Sequence, residues 1–166
     1  MGLTTGLTAY VGCFYVLGPP KKGQTAVVTG ATGAVGSTAV QLLQSTGARV
    51  IGIAGGPKKT KFLTETMGLD AAVDYKHPDL SLDEQLDEIC PVGFAFIYDN
   101  VGGGTLNSLL GKINPNGRVV ICGAISQVSN TVTFDFDCLF FSSTMCSRNY
   151  TCCTHPPYCS SVLWQT

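Results

Sequence analysis

A glycine-rich turn is the feature of this sequence that is best suited to bind a ligand. The apolar run Thr25–Thr29 leads into Gly30-Ala-Thr-Gly-Ala-Val-Gly36, and a helical pattern follows at once. Glycines at this spacing permit a tight turn, a close approach of the backbone to a pyrophosphate, and close packing of helix on strand. The N–H groups of the first helical turn add donors and the positive end of a helix dipole. The segment therefore predicts a dinucleotide-binding turn.

The end of the second predicted strand bears on which dinucleotide is bound. An Asp or Glu at this point would accept a hydrogen bond from the ribose 2′-hydroxyl of NAD. The sequence instead continues from Ala54 through two glycines and a proline to Lys58 and Lys59, with Lys61 close behind. Without a carboxylate to repel it, a 2′-phosphate is accommodated here, and the lysines can pair with it. NADP(H) is therefore the predicted cofactor, although a lysine run is also typical of a solvated helix face.

Strand and helix patterns alternate through residues 25–123, with short turns between them. This order predicts right-handed crossovers and a doubly wound parallel sheet of the Rossmann-type α/β class. The predicted strands are Thr25–Thr29, Arg49–Ala54, Ala71–Asp74, Phe94–Tyr98 and Gly117–Cys122. The predicted helices are Val35–Thr46, Lys58–Met67, Leu82–Cys90 and Gly104–Lys112. Their apolar residues, Leu42, Leu43, Phe62, Leu63, Leu86 and Ile89, are predicted to lie in the core.

Three segments differ in character along the chain. Residues 1–24 have apolar residues at helical spacing and are interpreted as a lead-in helix. Residues 25–130 form the predicted dinucleotide-binding domain. Residues 131–166 are a divergent, cysteine-rich and irregular C-terminal tail, in which only Asn130–Phe136 alternates like a strand.

Bulk composition excludes several classes of function. The chain has 166 residues, a net charge of −1 and 13% charged residues, with no basic cluster on one predicted face, so no nucleic-acid partner is expected. No apolar run is long enough to span a membrane and no secretory signal is visible, so a cytoplasmic protein is expected. The eight cysteines include no Cys-x-x-Cys pair, so no metal site is predicted.

Several motifs together resemble the zinc-independent medium-chain dehydrogenase/reductase superfamily, in its prostaglandin reductase and 2-alkenal (curcumin-type) reductase branch. They stand in the family's order across about residues 3–130. The motifs are Gly6-Leu-Thr-Ala-Tyr10, Gly30-Ala-Thr-Gly-Ala-Val-Gly36, Gly68-Leu-Asp-Ala-Ala-Val-Asp-Tyr75-Lys76, Tyr98-Asp-Asn-Val-Gly-Gly103 and Cys122-Gly-Ala-Ile-Ser126.

The resemblance implies an NADPH-dependent oxidoreductase that reduces the carbon–carbon double bond of small enals or enones. By position it implies a pyrophosphate turn of Ala31, Thr32, Gly33, Ala34, Val35 and Gly36. It implies that Lys59 contacts the 2′-phosphate, Tyr75 the adenosine side, and Asn100 the cofactor near the ribose. It implies a loop along the nicotinamide half made of Cys122, Gly123, Ala124, Ile125 and Ser126. No catalytic residue is assigned.

The chain also departs from the resembled family. The family's substrate-domain residues before the first motif are largely missing, Val128 stands where a tyrosine is expected, and residues 131–166 match no family segment. A truncated member is therefore expected, and an NADP-binding module without turnover is the first alternative. An extended short-chain dehydrogenase is the second, although none of the tyrosines has the lysine four residues later that its chemistry needs. A homo-oligomer is left open.

Overall fold

The computed structural model describes residues 3–123, 151–152 and 163–165. Five helices and seven strands occur in these ranges. The helices are α1 (Leu3–Tyr10), α2 (Ala34–Ser45), α3 (Pro57–Lys61), α4 (Leu82–Ile89) and α5 (Gly103–Leu110). The strands are β1 (Thr25–Thr29), β2 (Arg49–Ala54), β3 (Ala71–Asp74), β4 (Phe94–Asp99), β5 (Ile113–Ile121), β6 (Thr151–Cys152) and β7 (Leu163–Gln165). Two π-helical segments, Val11–Val16 and Phe62–Thr66, continue α1 and α3.

The strands form one sheet in the order β3-β2-β1-β4-β5-β7-β6. The first five are parallel, and β7 joins β5 in the antiparallel direction. β1 lies at the centre, where Val27 is paired with Ile51 of β2 on one side and with Ile97 of β4 on the other. Chain order reverses between β1 and β4, which creates a crevice at the carboxyl ends of these strands. The predicted doubly wound α/β class is confirmed.

Both faces of the sheet are buried, as a parallel sheet requires. One face packs against α1 and α2 around Val28, Ala39, Leu43, Phe96 and Tyr98. The other packs against α4 and α5 around a second set of buried side chains: Val27, Ile51, Ile53, Leu86, Phe94, Ile97 and Leu109. Every residue of β4 is buried, which explains why its sequence is a continuous apolar run rather than an alternating one.

The lead-in helix α1 and its π-helical continuation are fastened to the sheet by two side chains. The Tyr98 hydroxyl donates a hydrogen bond to the Thr8 carbonyl at 3.3 Å. Arg118 of β5 donates from one guanidinium nitrogen to the carbonyls of Leu17 and Gly18, both at 2.9 Å. Within the described residues, no helix is both long and apolar enough to cross a bilayer.

Several predicted elements differ from the structure by one or two residues at their ends, and two differences are larger. β5 begins at Ile113 rather than Gly117, because the predicted turn at Asn114–Gly117 is an irregularity inside the strand, where the register with β4 shifts. Phe62 was predicted to lie in the core and is 45% exposed. The Met67 N–H donates to the Phe62 carbonyl five residues back, and this wider winding breaks the 3.6-residue spacing on which the prediction rested. Asn130–Phe136 lies outside the described residues.

Candidate functional site at the carboxyl edge of the sheet

The glycine turn after β1 is built for close approach between backbone segments. Gly30 has a φ of +58°, a conformation that glycine adopts without cost. A Cβ on Gly36 would lie 2.2 Å from the Gly30 carbonyl oxygen, so only glycine lets α2 begin this near the turn. The Ala31 N–H donates to the Ile53 carbonyl at 3.1 Å and ties the turn to β2.

The first turn of α2 presents backbone donors at this edge. Gly33 is the N-cap and supplies no side-chain hydrogen bond, and the first N–H bonded back to it is that of Ser37. The N–H groups of Ala34, Val35 and Gly36 therefore have no acceptor within the helix. These three residues directly follow Ala31, Thr32 and Gly33. The six residues of the predicted pyrophosphate turn therefore form one continuous stretch at this edge.

Hydrogen bonds hold the crevice between β1 and β4 in place. The Thr29 hydroxyl donates to the Asp99 carboxylate at 2.7 Å and accepts from the Asn100 N–H at 2.8 Å. The Asn100 side-chain amide donates to the Thr29 carbonyl at 2.7 Å. Asn100 is thus fixed at the mouth of the crevice, next to Gly30. Its contact with the cofactor near the ribose stays a prediction.

Asp99 is a fully buried carboxylate at the centre of this network. It accepts further hydrogen bonds from the N–H groups of Val101 at 3.3 Å and Gly102 at 2.9 Å. Burial raises the pKa of the Asp99 carboxyl above its usual range, and the hydrogen bonds from Thr29, Val101 and Gly102 act in the opposite direction. The carboxylate is therefore costly to bury and is stabilised mainly by these donors.

The end of β5 completes this side of the edge. The N–H groups of Cys122 and Gly123 donate to the Asp99 carbonyl at 2.7 and 3.3 Å. A Cβ on Gly123 would lie 3.1 Å from the Asn100 carbonyl oxygen, so the two loops are in close contact. Ala124, Ile125 and Ser126, the rest of the predicted nicotinamide loop, lie outside the described residues.

The ends of β2 and β3 form the other side of the edge. Gly55 is so near the Tyr75 ring that a Cβ there would lie 2.8 Å from the ring carbons. Asp74 is 9% exposed, and its carboxylate accepts from the Gly56 N–H at 2.7 Å. Lys58 and Lys59 follow on α3 with exposed side chains, and within the described ranges neither has an acidic partner within 4.0 Å.

Sequence reasoning missed Asp74 and Asp99. Each is the last residue of a strand, and each accepts hydrogen bonds from the backbone of a glycine-containing loop. An acidic residue as the last residue of a buried strand, at the carboxyl edge, was the signal that could have identified them. Their role in the structure is to hold loops in place rather than to contact solvent.

Two further observations concern other kinds of site in the described residues. In the described part of the chain, no group of three or more His, Cys, Asp or Glu residues is arranged to bind a metal ion. An open depression of about 370 Å³ lies at the opposite, amino edge of the sheet, among Cys90–Gly93 and Gly111–Asn114. It therefore lies apart from the described residues that are predicted to bind the cofactor.

Comparisons with known proteins agree with this architecture. The sequence profile of the zinc-binding dehydrogenase family matches residues 34–153. The NADPH-dependent curcumin reductase of Escherichia coli is 40% identical over 126 residues, which is 76% of this chain and 36% of that protein. Mouse prostaglandin reductase 1 is 41% identical over 126 residues, covering 76% of this chain and 37% of that protein.

A solved structure shows the same fold. The crystal structure of CurA from Vibrio vulnificus in complex with NADPH superposes with a TM-score of 0.72 at 42% identity, over 78% of this chain and 37% of CurA. The chain thus spans little more than a third of the length of these relatives. The extended short-chain dehydrogenase alternative is overturned by these matches. The chain belongs to the zinc-binding dehydrogenase family, in the medium-chain dehydrogenase/reductase branch that contains the curcumin and prostaglandin reductases.

Proposed function

We propose that this chain binds NADPH at the carboxyl edge of its sheet, as the cofactor-binding part of an enal or enone reductase. The observation that carries the proposal is the set of three N–H groups, those of Ala34, Val35 and Gly36, that have no acceptor within the helix beside the glycine turn. Phosphate oxygens are the acceptors that such a helix start favours. The side-chain-free backbone at Gly30 and Gly33 leaves room for a pyrophosphate to approach.

The preference for NADPH over NADH rests on the second strand. No carboxylate follows Ala54, so no acceptor selects an unphosphorylated ribose. Lys58 and Lys59 carry exposed positive charges at the same edge and, among the described residues, make no ion pair. An ammonium group that contacts the 2′-phosphate forms a charge-assisted hydrogen bond, which is about twice as strong as a neutral one.

The proposed reaction is reduction of a carbon–carbon double bond conjugated to a carbonyl. Support comes from the activities for which two relatives are named, a curcumin reductase and a prostaglandin reductase. Bound NADPH would supply the hydride. The chain's own residues would orient the cofactor. Asn100 and Gly123, which pack against each other, flank the crevice on its β4–β5 side. Tyr75, which packs against Gly55, is the residue proposed to contact the adenosine side. No residue is assigned as an acid or base.

A second candidate function is binding of the cofactor without turnover. It is favoured by the coverage of the relatives, because the chain matches 36–37% of their length. Orienting an acceptor substrate against the cofactor requires residues on both sides of the reacting atoms. The residues described here supply the cofactor side.

Cofactor binding is tested by titrating the 166-residue chain with NADPH and NADH while following nicotinamide fluorescence. We expect tighter binding of NADPH, and Lys59→Ala should weaken it by about 1.5–3 kcal/mol while changing NADH binding little. Lys61→Ala is the matched control, because Lys61 lies two residues away on the same helix and already pairs with Glu65 at 3.6 Å. Equal titration curves for the two cofactors would refute the proposal.

Turnover separates the two candidate functions. NADPH oxidation is followed at 340 nm with a panel of unsaturated aldehydes and ketones, with a saturated ketone as control. Consumption that requires the conjugated double bond supports a reductase, and tight binding of NADPH with no consumption supports a binding module.

A further inference from the structure

Asp74 has a feature that the proposed function does not use. A buried carboxylate is costly unless its oxygens are hydrogen-bonded, and this one makes two short bonds through a single oxygen. Asp74 Oδ1 accepts from the Gly56 N–H at 2.7 Å and from the Lys76 N–H at 2.8 Å. One atom therefore joins the turn after β2 to the turn after β3.

The turn after β2 depends on this contact for its shape. Gly56 has a φ of +92° and a ψ of 150°, a conformation open almost only to glycine. Its N–H donates to Asp74, and its carbonyl accepts from the Lys59 N–H at 3.0 Å and the Thr60 N–H at 3.3 Å. The backbone that carries Lys59 is thus held, through Gly56, by the Asp74 carboxylate.

The same carboxylate positions Tyr75 on the neighbouring turn. The Tyr75 N–H donates to the Ala54 carbonyl at 3.2 Å, and the ring lies directly against Gly55. With the backbone held on both sides of it, at Asp74 and at Lys76, the half-exposed ring stays beside the start of α3. Tyr75 and Lys59, the two residues predicted on the adenosine side, are therefore oriented by one acceptor.

Asp74 is itself fixed by α4. The Gln85 side chain accepts from the Asp74 N–H at 3.1 Å and donates to the Asp74 carbonyl at 2.8 Å. Gln85 is 8% exposed and donates further to the Leu80 and Ser81 carbonyls. This double contact fixes the backbone of Asp74, from which the carboxylate reaches Gly56.

We propose that Asp74 is the positioning residue that sets the preference for a 2′-phosphorylated cofactor, by fixing the Gly55–Gly56 turn and with it Lys59. The inference rests on the proposed binding of NADPH. The discrimination between NADPH and NADH then depends on a carboxylate that contacts neither cofactor. The pyrophosphate turn, which would bind both cofactors, is held separately by contacts of Ala31 and Gly36.

The test measures dissociation constants for NADPH and NADH in Asp74→Ala, Asp74→Asn and Asp70→Ala. We expect Asp74→Ala to reduce the NADPH-over-NADH affinity ratio about tenfold while the dissociation constant for NADH stays within about twofold. Asp74→Asn keeps an oxygen that can accept both N–H groups and should keep most of the ratio. Asp70→Ala is the matched control, since Asp70 accepts from the Val50 N–H at 2.9 Å at the other end of the same strands.

The outcomes separate the inference from the function on which it rests. An unchanged ratio in Asp74→Ala, or an equal weakening of both cofactors, overturns the positioning role even where the wild-type chain prefers NADPH. A wild-type chain with no preference overturns the proposed cofactor choice itself. If Asp74→Ala fails to fold, the same affinity ratio is measured in Gly56→Ala. This substitution strains the backbone of the same turn, and its Cβ would contact nothing within 4 Å. A ratio that Gly56→Ala leaves intact then refutes the inference.

Discussion

The side chains of Thr29 and Asp99 join the carboxyl ends of β1 and β4, where the chain order reverses. The hydroxyl of Thr29 is fully buried and is both a donor to Asp99 and an acceptor from the Asn100 N–H. A hydrogen bond to a charged group contributes more than a neutral one, and a buried group left without its partner is costly. The position of Asn100 therefore depends on the Thr29 hydroxyl.

Replacement of Thr29 tests this dependence through pH. Thr29→Val removes a donor that lowers the pKa of Asp99, so the folded-state pKa should rise further above the unfolded value of about 3.9. A carboxyl with a raised folded pKa loses stability as the pH rises through that pKa. We expect the variant's deficit in unfolding free energy to be about 1.5–3 kcal/mol at pH 7 and smaller near pH 4. Denaturant unfolding at several pH values measures it.

Thr29→Ser is the matched control, because it keeps the hydroxyl and should retain most of the stability at pH 7. A deficit in Thr29→Val that is the same at pH 4 and pH 7 would show that the hydroxyl does not stabilise the charged form of Asp99.

The residues that sequence reasoning located are those with a local signature. The glycines of the turn follow from spacing and type alone, and Asn100 follows from the resemblance of Tyr98-Asp-Asn-Val-Gly-Gly103 to a family motif. Asp74 and Asp99 were missed because their partners are far along the chain: Gly56 lies 18 residues from Asp74, and Thr29 lies 70 residues from Asp99. Such pairings exist only once parallel strands bring their carboxyl ends together.

At the scale of whole elements, the lead-in helix is held by contacts that local patterns do not reveal. Arg118 reaches from β5 to the Leu17 and Gly18 carbonyls, which directly follow the π-helical continuation of α1. The guanidinium also lies 5.6 Å from the centre of the Phe96 ring. Burial lowers the pKa of Arg118, and the two carbonyl acceptors and the Phe96 ring favour its charged form. The side chain joins the sheet to the segment that precedes β1.

Arg118→Met should loosen this segment, because two carbonyls lose their donor while the aliphatic part of the side chain is kept. We expect faster amide hydrogen exchange in residues 3–16 and unchanged exchange in β1 and β2. Arg49→Met is the matched control, since Arg49 donates to the Ile89 carbonyl at 2.9 Å on another helix. Uniformly faster exchange across the sheet would show that Arg118 contributes to global stability instead.

The bounds of helices and strands could be predicted where the apolar residues follow the regular spacing of an α-helix or a β-strand. The bounds of β1, β2 and β3 are those predicted, because each is a short apolar or β-branched run bounded by turn residues. The prediction failed at Phe62–Thr66, where the chain is wound as a π-helix, and at Asn114–Gly117, where β5 continues through a register shift. Neither winding nor register shift leaves a distinct pattern in a single sequence.

For the molecule as a whole, the two edges of the sheet differ in what they can bind. The carboxyl edge combines the uncapped start of α2, the fixed Asn100 and the two lysines of α3. The amino edge has an open depression in which Lys112 is already paired with Asp87. The proposed cofactor site therefore lies at the carboxyl edge.

The most direct test is a titration of the isotopically labelled 166-residue chain with NADPH, followed by backbone amide chemical shifts. We predict saturable shifts in Thr32–Gly36, Gly56, Asn100 and Gly123, and none in Val92, Lys112 or Asn114 at the amino edge. Shifts confined to the amino edge, or no saturable shift at the glycine turn, would contradict the account.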